Sequence, residues 1–547
     1  MSLIAGYLKP YSERLVGPAH ELFRPFQAIV TNLYHHSLAV YEPNEKRPAI
    51  DLVRSNSYLL GLGATVSNPL LRTKSIDQIL ADADRPGHRL KKTLTVWDLT
   101  ALGIGAIIGT GIFVLVGTAI VGDSLRPGAG PGIVLSFVLS GFTCALAALC
   151  YAEFSAMIPV AGSAYTFSYA TLGEFLAWLT GWNLVLEYGV ACVAVAIGWS
   201  GYFNKLLKLA GLELPYWATN PPHWAGGPEG SIANFPAAII VLLVTAILVV
   251  GIKESARAAG VIVLLKLGVI LFFIAVGAPA VSAENWTPFM PNGFEGVRSA
   301  AAIIFFAYIG FDAVSTAAEE ARNPQRDVPL GILGSLAVCT VLYIAVAAVL
   351  TGLVPASQID IHAPVAEALS LVGFKWGAAI VAIGAVAGIT GVLVVMMLGQ
   401  IRVFFAMSRD QLLSPGLSKV HPTFGTPHRA TILTGVAVAV LAAFFQIGEA
   451  ADMTNIGTFF AFVLVSFGVM LLRYTKPDQA RPFRLPFMPL VPILSIAACL
   501  YLMAGLPQAT WIRFVVWTII GIFVYVGYGL KHSRLAEQAA RRDSMPG

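Results

Sequence analysis

The amino-acid sequence predicts an all-α polytopic membrane protein of twelve transmembrane helices, built as two inverted five-helix repeats followed by two further helices. Three observations carry that reading. Of 547 residues, 57% are hydrophobic and only 12% charged, with a mean hydropathy of +0.75, which soluble domains do not show. Apolar runs of about 20 residues, the length a bilayer requires, repeat from Leu94 to Leu530 with short polar punctuation. The first and sixth of these runs are interrupted at matching places. Uninterrupted runs of this length, without period-two alternation, specify helices and exclude a β-barrel.

The spans are expected near 94–121, 131–157, 173–206, 235–252, 256–279, 297–318, 329–354, 374–408, 430–446, 452–472, 488–507 and 511–530. The third and eighth are long enough to be strongly tilted. Residues 1–90 carry charges throughout and read as a non-membrane N-terminal tail; 94–279 and 297–472 form the two repeats, 488–530 the two additional helices, and 531–547 a C-terminal tail.

An even number of spans puts both termini on one side, and the distribution of Lys and Arg chooses which. On the side of the termini lie Arg89, Lys91, Lys92, Lys253, Arg257, Arg322, Arg326, Arg402, Arg409, Lys419, Arg429, Arg473, Lys476, Arg481 and Arg484, with Lys531, Arg534, Arg541 and Arg542 after the last span. The opposite side holds Arg126, Lys205, Lys208, Arg298, Lys375 and Arg513. Cytoplasmic termini in the inner (plasma) membrane, with lipid around the helices, are therefore expected. The formal charge of +5 is too mild and scattered for a nucleic-acid surface. All five cysteines lie in apolar runs and none of the nine histidines does, so no cofactor, metal or redox role is expected.

The interruptions are Gly103-Ile104-Gly105-Ala106-Ile107-Ile108-Gly109-Thr110-Gly111 in the first span and Phe306-Ala307-Tyr308-Ile309-Gly310-Phe311-Asp312 in the sixth. Because five is odd, two such halves have opposite topology, the arrangement of secondary transporters. An interrupted helix frees backbone donors and acceptors at membrane depth, tolerable where they line a cavity or meet a ligand. Unwinding at Gly109 and Gly111 presents the N–H groups and positive dipole end of the following half-helix, which suit a carboxylate. The break near Ala307–Gly310 frees carbonyls at a negative dipole end, which suit an ammonium. Together they describe an α-amino acid receptor lined by Ile107, Gly109, Thr110, Gly111, Phe306, Ala307, Tyr308, Ile309 and Gly310. Phe305, Phe306, Tyr308 and Phe311 are candidates to gate it, set against plain helix packing, the commoner role of aromatics at such spacing.

Lys266 lies near the middle of the fifth span, roughly 15 Å from either end at 1.5 Å per residue, and its stem of about 6 Å cannot reach water. A charged lysine at that depth costs about 2.5–3.5 kcal/mol or more, which makes function the default reading. An amine that takes up and releases a proton there would couple transport to protons, its ammonium standing where related transporters hold a sodium ion; the competing reading is a structural ammonium capped by helix carbonyls. Glu187, deep in the third span, is the one candidate to receive a cationic substrate head, the alternative being to partner another buried group. Glu153 and Asp312 read as interhelical or helix-end structure, with a gating role in reserve. The charged stretch from Glu319 to Pro329 reads as a loop for orientation and gating.

These motifs resemble the cationic amino acid transporter family of the amino acid, polyamine and organocation superfamily. The likeness runs from Leu99–Phe113 through Tyr151-Ala152-Glu153-Phe154, Gly162-Ser163-Ala164-Tyr165, Gly173-Glu174-Phe175, Gly181-Trp182-Asn183, Gly251-Ile252-Lys253-Glu254-Ser255 and Phe306–Asp312 to Glu319–Pro324, within roughly residues 70–530. It implies two inverted repeats plus two helices (the LeuT-like fold), substrate at the breaks of spans 1 and 6, and, for bacterial members, proton-coupled uptake with a lysine in span 5, which Lys266 matches. Thr110 departs from the small residue usual there and adds a hydroxyl to the carboxylate site. The first 65 or so residues have no counterpart. Substrates implied are cationic amino acids such as arginine, lysine and ornithine, or small neutral ones such as alanine. The alternatives are an exchanger or facilitator, or an amino acid sensor on the same fold; enzymatic chemistry lacks a nucleophile with base and orienter.

Overall fold

A computed structural model describes Leu70 and residues 72–83, 92–160, 162–251 and 256–537, with backbone alone at 81–83 and 256–259. Most of the tail expected over 1–90, Lys253 and the end of the C-terminal tail lie outside these residues. The described part belongs to one compact unit.

It is built of helices. α1 (Ile76–Ala83) is short and buries Ile76 and Ile79. α2 (Val96–Ile107) opens with a capping box, Thr95 accepting from the Asp98 N–H while Asp98 accepts from the Thr95 N–H. It breaks at Ile108–Thr110, continues as a π-turn over Gly111–Leu115 and α3 (Val116–Val121), and bends by 42° across the break. α4 (Ile133–Met157), α5 (Ser163–Thr171), α6 (Glu174–Leu209), α7 (Phe235–Val250) and α8 (Ala256–Gly277) follow. α9 (Gly293–Ile304) tightens into a 3₁₀ turn at Phe305–Tyr308 before the four-residue α10 (Ala313–Thr316). Then come α11 (Pro324–Leu353), α12 (Pro364–Leu371), α13 (Lys375–Arg409), α14 (His428–Phe444), α15 (Ile447–Thr475), α16 (Leu490–Met503) and α17 (Gln508–Val524).

Among the described residues, eight helices are long and apolar enough to cross a membrane, a ninth if the bent α2–α3 pair is one span. α7, α14 and α16 are apolar but shorter. α6 and α13, at 36 and 35 residues, run roughly 50 Å, well beyond a hydrocarbon core of about 30 Å, as expected for the third and eighth spans. In bilayer, helices associate through close packing and buried hydroxyls rather than hydrophobicity. The α4–α9 contact shows both, with Ser136 and Ser140 donating to the Val297 and Ala301 carbonyls at 2.8 Å each.

The packing pairs equivalent helices of the two predicted halves: α4 lies on α11, α6 on α13 and α7 on α14. The contact of α15 with α6 is mirrored by that of α8 with α13. The short helices α5 and α12 occupy the same place in each half, between its second and third spans. One end of the bundle gathers residues 72–75 and 92–94, α5, the 319–327 loop, Asp410 and Ser533; the other gathers the 122–129, 210–234 and 354–374 connections.

Candidate functional site

The two helix breaks meet at the centre. A Cβ on Gly111 would run into the backbone of Ala307, so only glycine lets the first break approach the sixth-span break this closely. Gly310, with φ +118, holds a left-handed conformation that L side chains rarely adopt and lies against the Ala106 carbonyl. The sequence-predicted residues are thereby brought together and sealed: Ile107, Thr110, Ala307, Tyr308 and Ile309 are all buried, and Phe306 is the most accessible at 7%.

The backbone accounting of the first break is specific. α2 ends at Ile107, which leaves its last carbonyls without N–H partners. Lys266 Nζ donates to the Gly105 carbonyl at 2.6 Å, and Tyr343 Oη reaches the Ile107 carbonyl at 3.0 Å. Tyr343 Oη is also 3.0 Å from the Ala307 carbonyl, so one hydroxyl spans both breaks. On the donor side, the half-helix from Gly111 opens without a side-chain cap, and the Thr110 hydroxyl is buried with no protein partner. An uncapped helix start beside an unsatisfied hydroxyl is a ready anion site.

Lys266 is fully buried on α8, and its partner is a backbone carbonyl rather than a carboxylate. Its stem passes α13 where that helix has Gly388 and Gly391; a Cβ on Gly388 would stand 3.1 Å from Lys266 Cγ. The lysine therefore reaches the break only because α13 carries no side chains there.

Glu187 is also fully buried, and its Oε2 has no hydrogen-bond partner. It faces α15 at Gly457. Its neighbour Tyr188 donates to Asp312 Oδ2 at 2.6 Å, tying α6 to the segment after the sixth-span break. Buried carboxylates thus stand both on α6 and within that segment. Among the aromatics, Phe305 packs on Phe459 with ring centroids 4.0 Å apart, and Phe311 packs on Tyr151 and Phe462. Tyr308 donates to the Phe137 carbonyl at 2.8 Å. Glu153 stands apart, at the end of α4, where it takes Arg473 Nη2 at 2.5 Å, Arg481 Nε at 3.4 Å and the Leu485 N–H at 2.7 Å. Tyr343 and Asn455, whose amide nitrogen lies 2.8 Å from the Ala302 carbonyl, belong to the site and were not singled out in the sequence. Polar residues inside apolar runs were the available signal.

Ion pairs gather at both ends of the bundle. At one, Arg126 joins Asp123 and Asp452 at 2.8 Å each, and Lys205 pairs with Glu367 on α12. At the end that gathers the described termini, a cavity of about 70 Å³ is lined by Lys74, Val160, Tyr165, Glu319, Arg409 and Asp410, with Lys74 bridging to Asp410 at 3.5 Å.

Comparison with known proteins accords with this architecture. Residues 94–526 match the family model described as amino acid permease. The chain is 50% identical over 467 residues to the methylthioribose transporter of Bacillus subtilis, covering 85% of this chain and 99% of that protein. It is 50% identical over 469 residues to the branched-chain amino acid permease BcaP of Bacillus subtilis, covering the same shares. Cationic amino acid transporter 1 of Arabidopsis thaliana is 35% identical over 539 residues, covering 87% of this chain and 89% of that protein. The chain belongs to the amino acid permease family and is a multi-pass membrane protein of that transporter class.

Proposed function

We propose that this protein is a secondary active transporter that takes up an amino acid into the cell, coupled to protons, by alternating access. The observation that carries the reading is the abutment of Gly111 and Ala307, which sets an uncapped helix start against the carbonyl end of the tightened sixth-span turn. An α-carboxylate and α-ammonium are attached to one carbon, so a receptor for both needs opposite backbone polarity within a few ångströms. Phe306 is the aromatic placed to close over the ligand. Twelve spans in two inverted repeats, in the cell membrane with cytoplasmic termini, are supported by the paired packing of the halves and the bias of Lys and Arg.

Lys266 is the coupling group. Bound to the Gly105 carbonyl, its ammonium does what a cation would do there, neutralising the open end of α2; without its proton the amine cannot supply that charge. Proton binding therefore favours the arrangement that holds the substrate. For the side chain, the chemistry favours a neutral, apolar residue: Val392 crowds Gly109, with 2.8 Å available to a Cβ, and Glu187 faces α15. The branched-chain permease among the relatives points the same way.

Uptake of labelled leucine, alanine and arginine into sodium-free proteoliposomes, with and without an inward proton gradient, tests this. Gradient-driven accumulation of leucine or alanine is expected. Sodium dependence, or counterflow without accumulation, would point instead to another coupling ion, an exchanger or a facilitator, and absence of transport with retained binding to a sensor. Competition by methylthioribose, which offers neither carboxylate nor ammonium, would favour the chemistry of the other Bacillus relative.

A further inference from the structure

α9 does not simply stop at the sixth-span break; it changes pitch first. The Phe305 N–H bonds to the Ala301 carbonyl, still an α-helical bond, while the Ile309 N–H bonds to the Phe306 carbonyl, a 3₁₀ bond. Between them lie the N–H groups of Phe306, Ala307 and Tyr308 and the carbonyls of Ala302, Ile303, Ile304 and Phe305, one acceptor more than there are donors. A helix that tightens must orphan a carbonyl, and at membrane depth no water takes its place.

Asn455 on α15 lies at that point. It is fully buried, and its Nδ2 donates to the Ala302 carbonyl at 2.8 Å and lies 3.2 Å from the Ile303 carbonyl. Both neighbours are acceptors, so the nitrogen, not the oxygen, must face them. One and two turns along the same face of α15, Phe459 packs on Phe305 and Phe462 packs on Phe305 and Phe311. The face of α15 that carries Asn455 thus grips the tightened turn from its start to beyond the break.

We infer that Asn455 is a positioning residue for the ammonium half of the site: by capping the orphaned carbonyl it stabilises the 3₁₀ pitch that aims the carbonyls of Phe306 and Ala307. Without the amide donor the turn gains by returning to α-helical pitch, in which the Ala302 carbonyl recovers an N–H partner. That change rotates every group downstream and turns the ammonium-binding carbonyls away. The carboxylate donors sit on the first break, which Asn455 does not touch, and are displaced less. The inference rests on the proposed amino acid site, and its consequence is selective, since recognition of the ammonium fails while recognition of the carboxylate survives.

The test is competition binding on the purified full-length chain with matched pairs: leucine against 4-methylpentanoate, alanine against propionate, and arginine against 5-guanidinopentanoate. Each second member lacks the α-ammonium. The wild type is expected to prefer the amino acid in at least one pair by about tenfold or more. Asn455→Leu, of similar shape without the donor, should weaken that amino acid about tenfold, leave its partner within about twofold, and bring the ratio near one. Asn455→Gln, which retains an amide, should restore most of the preference. If the Leu variant does not elute as folded protein, Asn455→Ala removes the same donor without added bulk and carries the same expectation. A variant without the donor that keeps the wild-type ratio, or that weakens both members equally, overturns the inference. A wild type without preference in every pair overturns the site reading itself, and this inference with it.

Discussion

Lys266 Nζ lies 2.6 Å from the carbonyl oxygen of Gly105, a lysine amine donating to the open end of a broken helix. The contact joins α8 to α2 at the depth where the first break begins, so the charge on one amine bears on the geometry of the proposed carboxylate site. Replacing Lys266 with Met keeps the length and removes the charge. Proteoliposomes holding this variant should lose gradient-driven accumulation by at least about tenfold while still exchanging internal for external amino acid. Full uphill uptake by the variant would show that the lysine is structural.

Tyr343→Phe deletes the hydroxyl that reaches both the Ile107 and Ala307 carbonyls. Leaving buried acceptors unpaired costs about 1–3 kcal/mol, so substrate affinity should fall by about five- to 150-fold. The measurement is substrate binding at equilibrium. An unchanged affinity would mean that the two breaks hold their relation without this bridge.

Thr110→Val separates binding from stability. The hydroxyl has no partner in the protein, so removing it spares an unsatisfied buried group and should leave the melting temperature of the ligand-free protein unchanged or higher. The same change should weaken the amino acid by about tenfold if the hydroxyl meets the carboxylate. Thermal melts with and without amino acid read both effects, and Thr110→Ser should restore binding.

Arg126 and Asp452 form an ion pair whose side chains are 6% and 5% exposed. Breaking such a pair by removing one partner costs about 3–5 kcal/mol, whereas replacing both with apolar residues is often neutral. Asp452→Leu alone should therefore lower the melting temperature markedly, and Arg126→Leu with Asp452→Leu should recover much of the loss. A double variant no better than the single one would argue that Asp123, which also holds Arg126, dominates the site.

The sequence made the two breaks and Lys266 legible for a reason of cost: glycines repeated inside one span, and a cation in the middle of another, are expensive in a bilayer unless used. It did not reveal Tyr343 or Asn455. A lone tyrosine or asparagine in an apolar run has many possible partners, and only the fold showed that theirs are carbonyls freed by the breaks, at Ile107 and Ala307 for one and at Ala302 for the other. Glu153 reads in the sequence as interhelical or helix-end structure, but its partners Arg473, Arg481 and the Leu485 N–H come from more than 300 residues away, a separation that hides them from any local pattern. The aromatic cluster behaved similarly. Spacing alone could not separate packing from gating, and the packing of Phe305 and Phe311 against α15 and α4 leaves Phe306 as the more accessible ring.

α15 carries Asp452 in its second turn and Arg473 in its last turn, where the helix dipole favours a cation. The first holds Arg126, just beyond the first span, and the second holds Glu153, at the end of the second span. The two clasps stand roughly 30 Å apart along the helix, about a bilayer's thickness. Under the proposed alternating access, a strut fastened this way to its neighbours would act like a door with a latch at top and bottom: releasing one would let the helices part at that face while the other served as the pivot. Since neither latch draws its partner from the other's face, the two openings need never coincide, and a leak straight through the membrane would require both ion pairs to fail together.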